Sequence, residues 1–128
     1  MPFVRITISG PALAPEQVSR FQTEMTELMA TTLGKRADLT SVLVEQPVTA
    51  SWAVGGTPAK VAAHVEATIT AGTNLPEEKA RFIEKSMRLL RSVLGSELNP
   101  ATYVVVNEVS ANSWGYDGRT QESRTLAV

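Results

Sequence analysis

The chain reads as an α+β protein in which two β-α-β units share one four-stranded mixed sheet, with two helices on one face. Two observations predict it. Val4 to Phe21 and Val65 to Phe82 superpose at a constant shift, so that Thr7/Thr68, Ile8/Ile69, Pro15/Pro76, Glu16/Glu77, Arg20/Arg81 and Phe21/Phe82 coincide. The match continues through Leu28/Leu89, Leu33/Leu94 and Gly34/Gly95. After one extra residue in the second copy it resumes at Thr40/Thr102, Val42/Val104, Val44/Val106, Ser51/Ser113, Trp52/Trp114 and Gly56/Gly118. Within each copy, hydrophobic period two gives way to period three-to-four and then returns to two, which is the order strand, helix, strand.

In the first copy FVRITI alternates: Val4, Ile6 and Ile8 lie on one face, and Phe3, Arg5 and Thr7 on the other, the pattern of a half-buried strand. Pro15 suits a first helical position, where its missing N–H costs nothing, and Glu16 meets the positive end of the helix dipole. Val18, Phe21, Met25, Leu28 and Met29 form the helix stripe, and Gly34 ends it. SVLVEQPV supplies the next strand, with Pro47 marking its end or an edge. ASWAVGGTP reads as a short hairpin. The second copy repeats this order with strand VEATIT and a helix from Pro76 to Leu94. Ile83, Met87, Leu90 and Leu94 are the expected stripe, Gly95 the stop, TYVVVNEV the strand and NSWGYDG the hairpin.

Strand, crossover helix and strand of these lengths make parallel βαβ units. With both helices on one face, the other face is bare and carries Phe3, Arg5, Leu43 and Val105. It is expected to be buried in a ring-like oligomer.

The chain has 128 residues, 43% of them apolar, enough for one core and too few for two ordinary domains. The expectation is a single domain, residues 1–128, made of repeats at about 1–60 and 61–128. A net charge of −1 with no basic run excludes an electrostatic pull toward nucleic acid or an anionic membrane. Zero cysteines and one histidine exclude disulfides, thiolate zinc and His-rich metal sites, so no cofactor is expected. The amino terminus lacks a secretory pattern and no long apolar run occurs, so the expected location is cytoplasmic.

Met1-Pro2 running directly into strand FVRITI, the helix opening PEQ, the strand LTSVLVEQPV, the hairpin SWAVGG and the later VVVNEVSANSWGYDGRTQESR together resemble the tautomerase superfamily, founded on 4-oxalocrotonate tautomerase. The resemblance spans nearly the whole chain, is of the fused two-unit kind, and implies the tautomerase/MIF-like fold and a homotrimer. It also implies that removal of Met1 exposes Pro2 as a free secondary amine, the catalytic group. α-Amino groups titrate near pH 8, and burial favours the neutral amine, which can move a proton between carbon and oxygen.

The implied function is a tautomerase acting on a small enol or 2-hydroxy-enoate, a small-molecule carbonyl substrate. One alternative is Pro2 as a general acid in hydration, dehalogenation or decarboxylation of a small three-carbon acid. Another is a catalytically weak assembly or binding protein of the same fold. Family geometry implies that Thr73, Asn74, Trp114 and Tyr116 of the second copy line the pocket opposite Pro2.

The sequence departs from the family in its carboxylate clamp. Gly10-Pro11-Ala12-Leu13 and Gly72-Thr73-Asn74 stand where the founding enzyme has an arginine after glycine, and Leu43 and Val105 replace the arginine of the second strand. Arg5, Arg36, Arg119 and Arg124 are the arginines that could replace it, although each reads first as an ordinary surface residue. Trp52 and Trp114 are packing anchors as readily as pocket walls, His64 at the join reads as solvated, and Asp38 and Asp117 read as turn-makers.

Overall fold

The computed structural model describes residues 2–126. Strand β1 (Phe3–Ser9) leads into α1 (Pro15–Leu33), a 3-10 turn (Ala37–Leu39) and β2 (Ser41–Glu45). A hairpin of β3 (Ala53–Val54) and β4 (Thr57–Pro58) closes the first unit. The second unit repeats it with β5 (Ala62–Thr70), α2 (Pro76–Leu94), β6 (Tyr103–Val109) and the hairpin β7 (Gly115–Tyr116) and β8 (Arg119–Thr120). A short α3 (Gln121–Leu126) follows.

The main sheet has the order β2-β1-β5-β6. Strand β1 is parallel to β2, β5 is parallel to β6, and the two units join through the antiparallel β1–β5 pair. This is the α+β architecture with a mixed sheet expected above, with the edge strands where the Pro47 argument put β2.

The repeat is visible bond by bond. Each long helix begins with proline at its first turn, and a side chain three residues into the helix caps it: Gln17 Oε1 accepts from Ala14 N–H at 2.8 Å, and Glu78 Oε1 from Leu75 N–H at 2.7 Å. In each hairpin the tryptophan carbonyl accepts a backbone bond, from Ala59 N–H to Trp52 and from Gln121 N–H to Trp114, both at 3.0 Å.

The core lies between sheet and helices. Val4, Ile6 and Ile8 from β1 and Val65, Ala67 and Ile69 from β5 meet Phe21, Met25 and Met29 of α1 and Phe82, Leu89 and Leu90 of α2. One detail departs from expectation. The buried stripe of α2 is Phe82, Ser86, Leu89 and Leu90, while Ile83 is 41% exposed. Ser86 is the repeat partner of Met25, and its hydroxyl lies 3.8 Å from the Met25 sulfur with both residues fully buried. A large side chain on one helix fills the space left by a small one on the other. An apolar-only reading passes over the serine and shifts the stripe by one position.

The opposite face is uncovered. Across the strands it presents the rows Ser41–Phe3–Thr68–Asn107, Leu43–Arg5–Glu66–Val105 and Glu45–Thr7–His64–Tyr103. Phe3, Leu43, Val105 and Tyr103 are its exposed large apolar residues. Among the described residues, no helix is long and apolar enough to cross a membrane.

Candidate active site

Pro2 stands immediately before β1, on the core-facing side with Val4, and is fully buried. Its carbonyl accepts a bond from Ser41 N–H at 3.2 Å, which joins it to the start of β2. Because β5 runs antiparallel to β1, with Phe3 opposite Thr68, the end of β5 and the loop 71–75 arrive at the same end of the sheet as Pro2. The C-terminus of α1 arrives there too. Met1 lies outside the described residues.

The repeat partner of Pro2 has a different fate. Strand β5 begins at Ala62, so Ala63 sits inside a continuous strand, 1% exposed and paired with Ile8 at the far end of the sheet. A bridge from Val61 to Leu98 and a bond from Asn99 N–H to Val61 C=O extend that strand backward. The join expected at His64 is therefore strand, and His64 lies on the bare face between Thr7 and Tyr103.

The structure brings the second-copy residues Thr73 and Asn74 to the Pro2 end, but both are already engaged. Asn74 Nδ2 donates to Leu33 C=O at 2.9 Å and to Glu78 Oε1 at 3.2 Å, so its amide straps the loop to the end of α1. The Thr73 hydroxyl donates to Thr70 C=O at 2.7 Å and accepts from Lys35 Nζ at 2.8 Å. Trp114 is half-buried, and its indole N–H donates to Thr70 Oγ1 at 3.2 Å, pinning the second hairpin to the end of β5. Tyr116 is engaged in a contact of its own: the Arg124 guanidinium stacks 3.8 Å from its ring centroid and donates to its carbonyl at 2.8 Å.

The cations sort by partner. Arg5 pairs with Glu45 at 3.6 Å, and Arg36, well exposed, pairs with Asp38 at 2.7 Å, which raises its pKa further. Asp38 is thus an ion-pair partner on the 3-10 turn, while Asp117 (φ 50) with Gly118 (φ 76) makes the tight hairpin turn. Lys79 bonds Glu108, whose other oxygen accepts from Gly72 N–H at 3.4 Å; the Lys79 bond first, then Gly72, holds the Glu108 carboxyl below its ordinary range. The Glu78 carboxyl is lowered chiefly by the Leu75 N–H and then by Asn74. Lys35 is half-buried, and burial lowers its pKa while Glu78 and Glu108 act in the opposite sense. Sequence reasoning considered only arginines and missed Lys35. The available signal was its place directly after the helix-ending glycine.

The fold and the repeated β-α-β unit with proline at the strand entry define a tautomerase-type protein. The family pattern described as tautomerase enzyme matches residues 2–62. Probable tautomerase K2 of Dickeya dadantii (strain 3937) is 36% identical over 56 residues, covering 44% of this chain and 84% of that protein. The chain belongs to the tautomerase family.

Its fold is shared with solved structures that include fused 4-OT proteins. The F6 fused 4-OT, an asymmetric trimer, superposes with a TM-score of 0.80 at 17% identity, over 95% of this chain and 98% of that one. Pt0534, inactivated by 2-oxo-3-pentynoate, gives a TM-score of 0.84 at 12% identity, again over 95% and 98%.

Proposed function

We propose that the protein is an isomerase that uses Pro2, freed by removal of Met1, as the general base on a small enol or 2-hydroxy-enoate. The observation that carries this reading is Pro2 itself, fully buried at the strand entry, tied to Ser41 and set beside the loop after β5. A neutral secondary amine there accepts the enol proton and returns a proton to carbon, converting enol to ketone with no net change in protonation. Shelter from water favours the neutral amine over the ammonium ion.

Thr73 and Trp114 form the wall opposite Pro2 in this reading, with Tyr116 at its margin. Asn74 positions the loop rather than the substrate, because both of its N–H donors are engaged. The whole chain works as one cytoplasmic domain and assembles as a homotrimer through the bare sheet face. The trimeric state of the F6 fused 4-OT supports that assembly, as does the apolar content of the face.

The test combines intact mass with kinetics. Loss of Met1 is expected, together with a covalent adduct on the N-terminal residue after incubation with 2-oxo-3-pentynoate, the reagent that inactivates Pt0534. Pro2→Ala is expected to slow ketonisation by roughly 100-fold or more, the usual contribution of a positioned base. A retained initiator methionine, or a Pro2→Ala variant as fast as the parent, overturns the reading.

A further inference from the structure

Thr70 closes β5 at the Pro2 end of the sheet, and the wall opposite Pro2 is tied to it on both sides. Its Oγ1 accepts from the Trp114 indole N–H at 3.2 Å, and its carbonyl accepts from the Thr73 hydroxyl at 2.7 Å. Thr70 itself points elsewhere. Phe3 lies opposite Thr68, so strand alternation puts the Thr70 side chain on the bare face, while Pro2 shares the core-facing side with Val4.

The first repeat lacks this tie. Ser9 and Trp52 hold the equivalent positions, and among the described residues no hydrogen bond joins them. The difference begins at Pro47, which stands where β6 has Val109. Proline cannot donate to a ladder, and the pairing of β1 with β2 stops at Thr7 and Glu45. Strand β6 stays paired with β5 two positions further in the repeat, through Thr70 and Val109, and Ala71 N–H then donates to Val109 C=O at 2.9 Å. Beyond Val109, Ser113 N–H bonds Ser110 C=O at 2.8 Å, a turn that returns Trp114 to the end of β5. The equivalent Val48 and Ser51 share no such bond among the described residues, and Val48 is 99% exposed.

An indole has one polar hydrogen, so this bond selects one orientation of a half-buried ring. The acceptor is itself stiff, because threonine is branched at Cβ and its χ1 is restricted in a strand. The pinned tryptophan is thus the one in the half opposite Pro2, and the tryptophan of the other half is not pinned to its strand.

We propose that Thr70 is a positioning residue of the Pro2 site: it fixes the Trp114 indole as a wall against which the substrate is held. The assignment rests on the tautomerase reading for the reaction and on the Thr70–Trp114 bond for its location.

The experiment uses the full-length protein with Trp52→Phe as the parent, so that Trp114 is the remaining tryptophan of the two. Thr70→Val keeps the shape and removes the acceptor, and Thr70→Ser keeps the acceptor. In Thr70→Val, Trp114 is expected to lose fluorescence anisotropy and to be quenched more readily by acrylamide. The KM of a 2-hydroxy-enoate is expected to rise about fivefold, the value of one neutral hydrogen bond, with kcat little changed because a wall holds substrate and transition state alike. Thr70→Ser is expected to restore both signals. Thr70→Val with a parent-like Trp114 signal overturns the proposal, as does a freed Trp114 with unchanged KM, or an equal loss in the valine and serine variants.

The two readings fail separately. A parent that ketonises no enol sinks the tautomerase reading, and binding of 2-oxobutanoate followed by NMR then takes the place of KM. Binding about fivefold weaker in Thr70→Val alone keeps Thr70, and equal binding in all three proteins overturns it. A parent whose turnover is abolished by Pro2→Ala but untouched by Thr70→Val keeps the tautomerase and sinks Thr70.

Discussion

Exchanging Met25 and Ser86 between the two long helices tests whether the repeat packs as complementary halves. Both side chains are fully buried, and their polar atoms lie 3.8 Å apart. Met25→Ser removes two carbons and a sulfur in exchange for one oxygen, which forfeits about 2 kcal/mol of transfer free energy before any cavity cost. With the cavity, the single change is expected to cost about 2–5 kcal/mol. Ser86→Met forces extra volume against an intact Met25 and is expected to cost about 1–3 kcal/mol. If the two sites were independent, the double variant would lose the sum. Because the repeat relates the two positions, the swap returns one large and one small side chain to the same space. It is expected to lose less than about 2 kcal/mol, a strong favourable coupling. Urea unfolding followed by tryptophan fluorescence measures this, at one fixed protomer concentration because the proposed assembly would contribute to apparent stability. A double variant as unstable as the sum of the singles refutes the complementary-packing argument.

Two other perturbations probe assembly and charge. Val105→Lys places a charge in the central row Leu43–Arg5–Glu66–Val105 of the bare face and is expected to release protomers from the proposed trimer, read by sedimentation, with the fold retained by circular dichroism; an unchanged sedimentation coefficient counts against that interface. The Glu108 carboxyl is lowered from 4.5 by Lys79 and Gly72, so its stabilisation is present above about pH 4.5 and is lost as pH falls through the lower folded-state value. Glu108→Gln is expected to flatten the acid limb of stability against pH, and an unaltered limb refutes the clamp.

The two long helices were legible to the residue, Pro15–Leu33 and Pro76–Leu94, because proline at the first turn and glycine after the last are local signals. Strands β1, β2 and β6 were legible from alternation, and the duplication set the order of elements. The six-residue α3, QESRTL, was not, since it carries no apolar stripe to give a helical period. Ile83 misled for the opposite reason: it is apolar and in phase with Met87, but its neighbour Phe82 takes the core as the repeat partner of Phe21. At the candidate site, Pro2 and the loop at Thr73 and Asn74 could be singled out from sequence. Their hydrogen-bond commitments could not.

Sequence alone determined what depends on near neighbours and on the repeat: the β-α-β order, the helix limits, the hairpin turns, and the unlike residues Pro2 and Ala63 at equivalent positions. Tertiary structure decided what depends on residues far apart in the chain. It buried Ala63 inside β5, set Ser86 against Met25, spent the Asn74 amide on Leu33, and carried Lys35 across 38 positions to Thr73. The physical reason is that a side chain's partner is set by which elements the antiparallel β1–β5 pair brings to one end of the sheet. Period and propensity record only which way a residue faces on its own strand or helix.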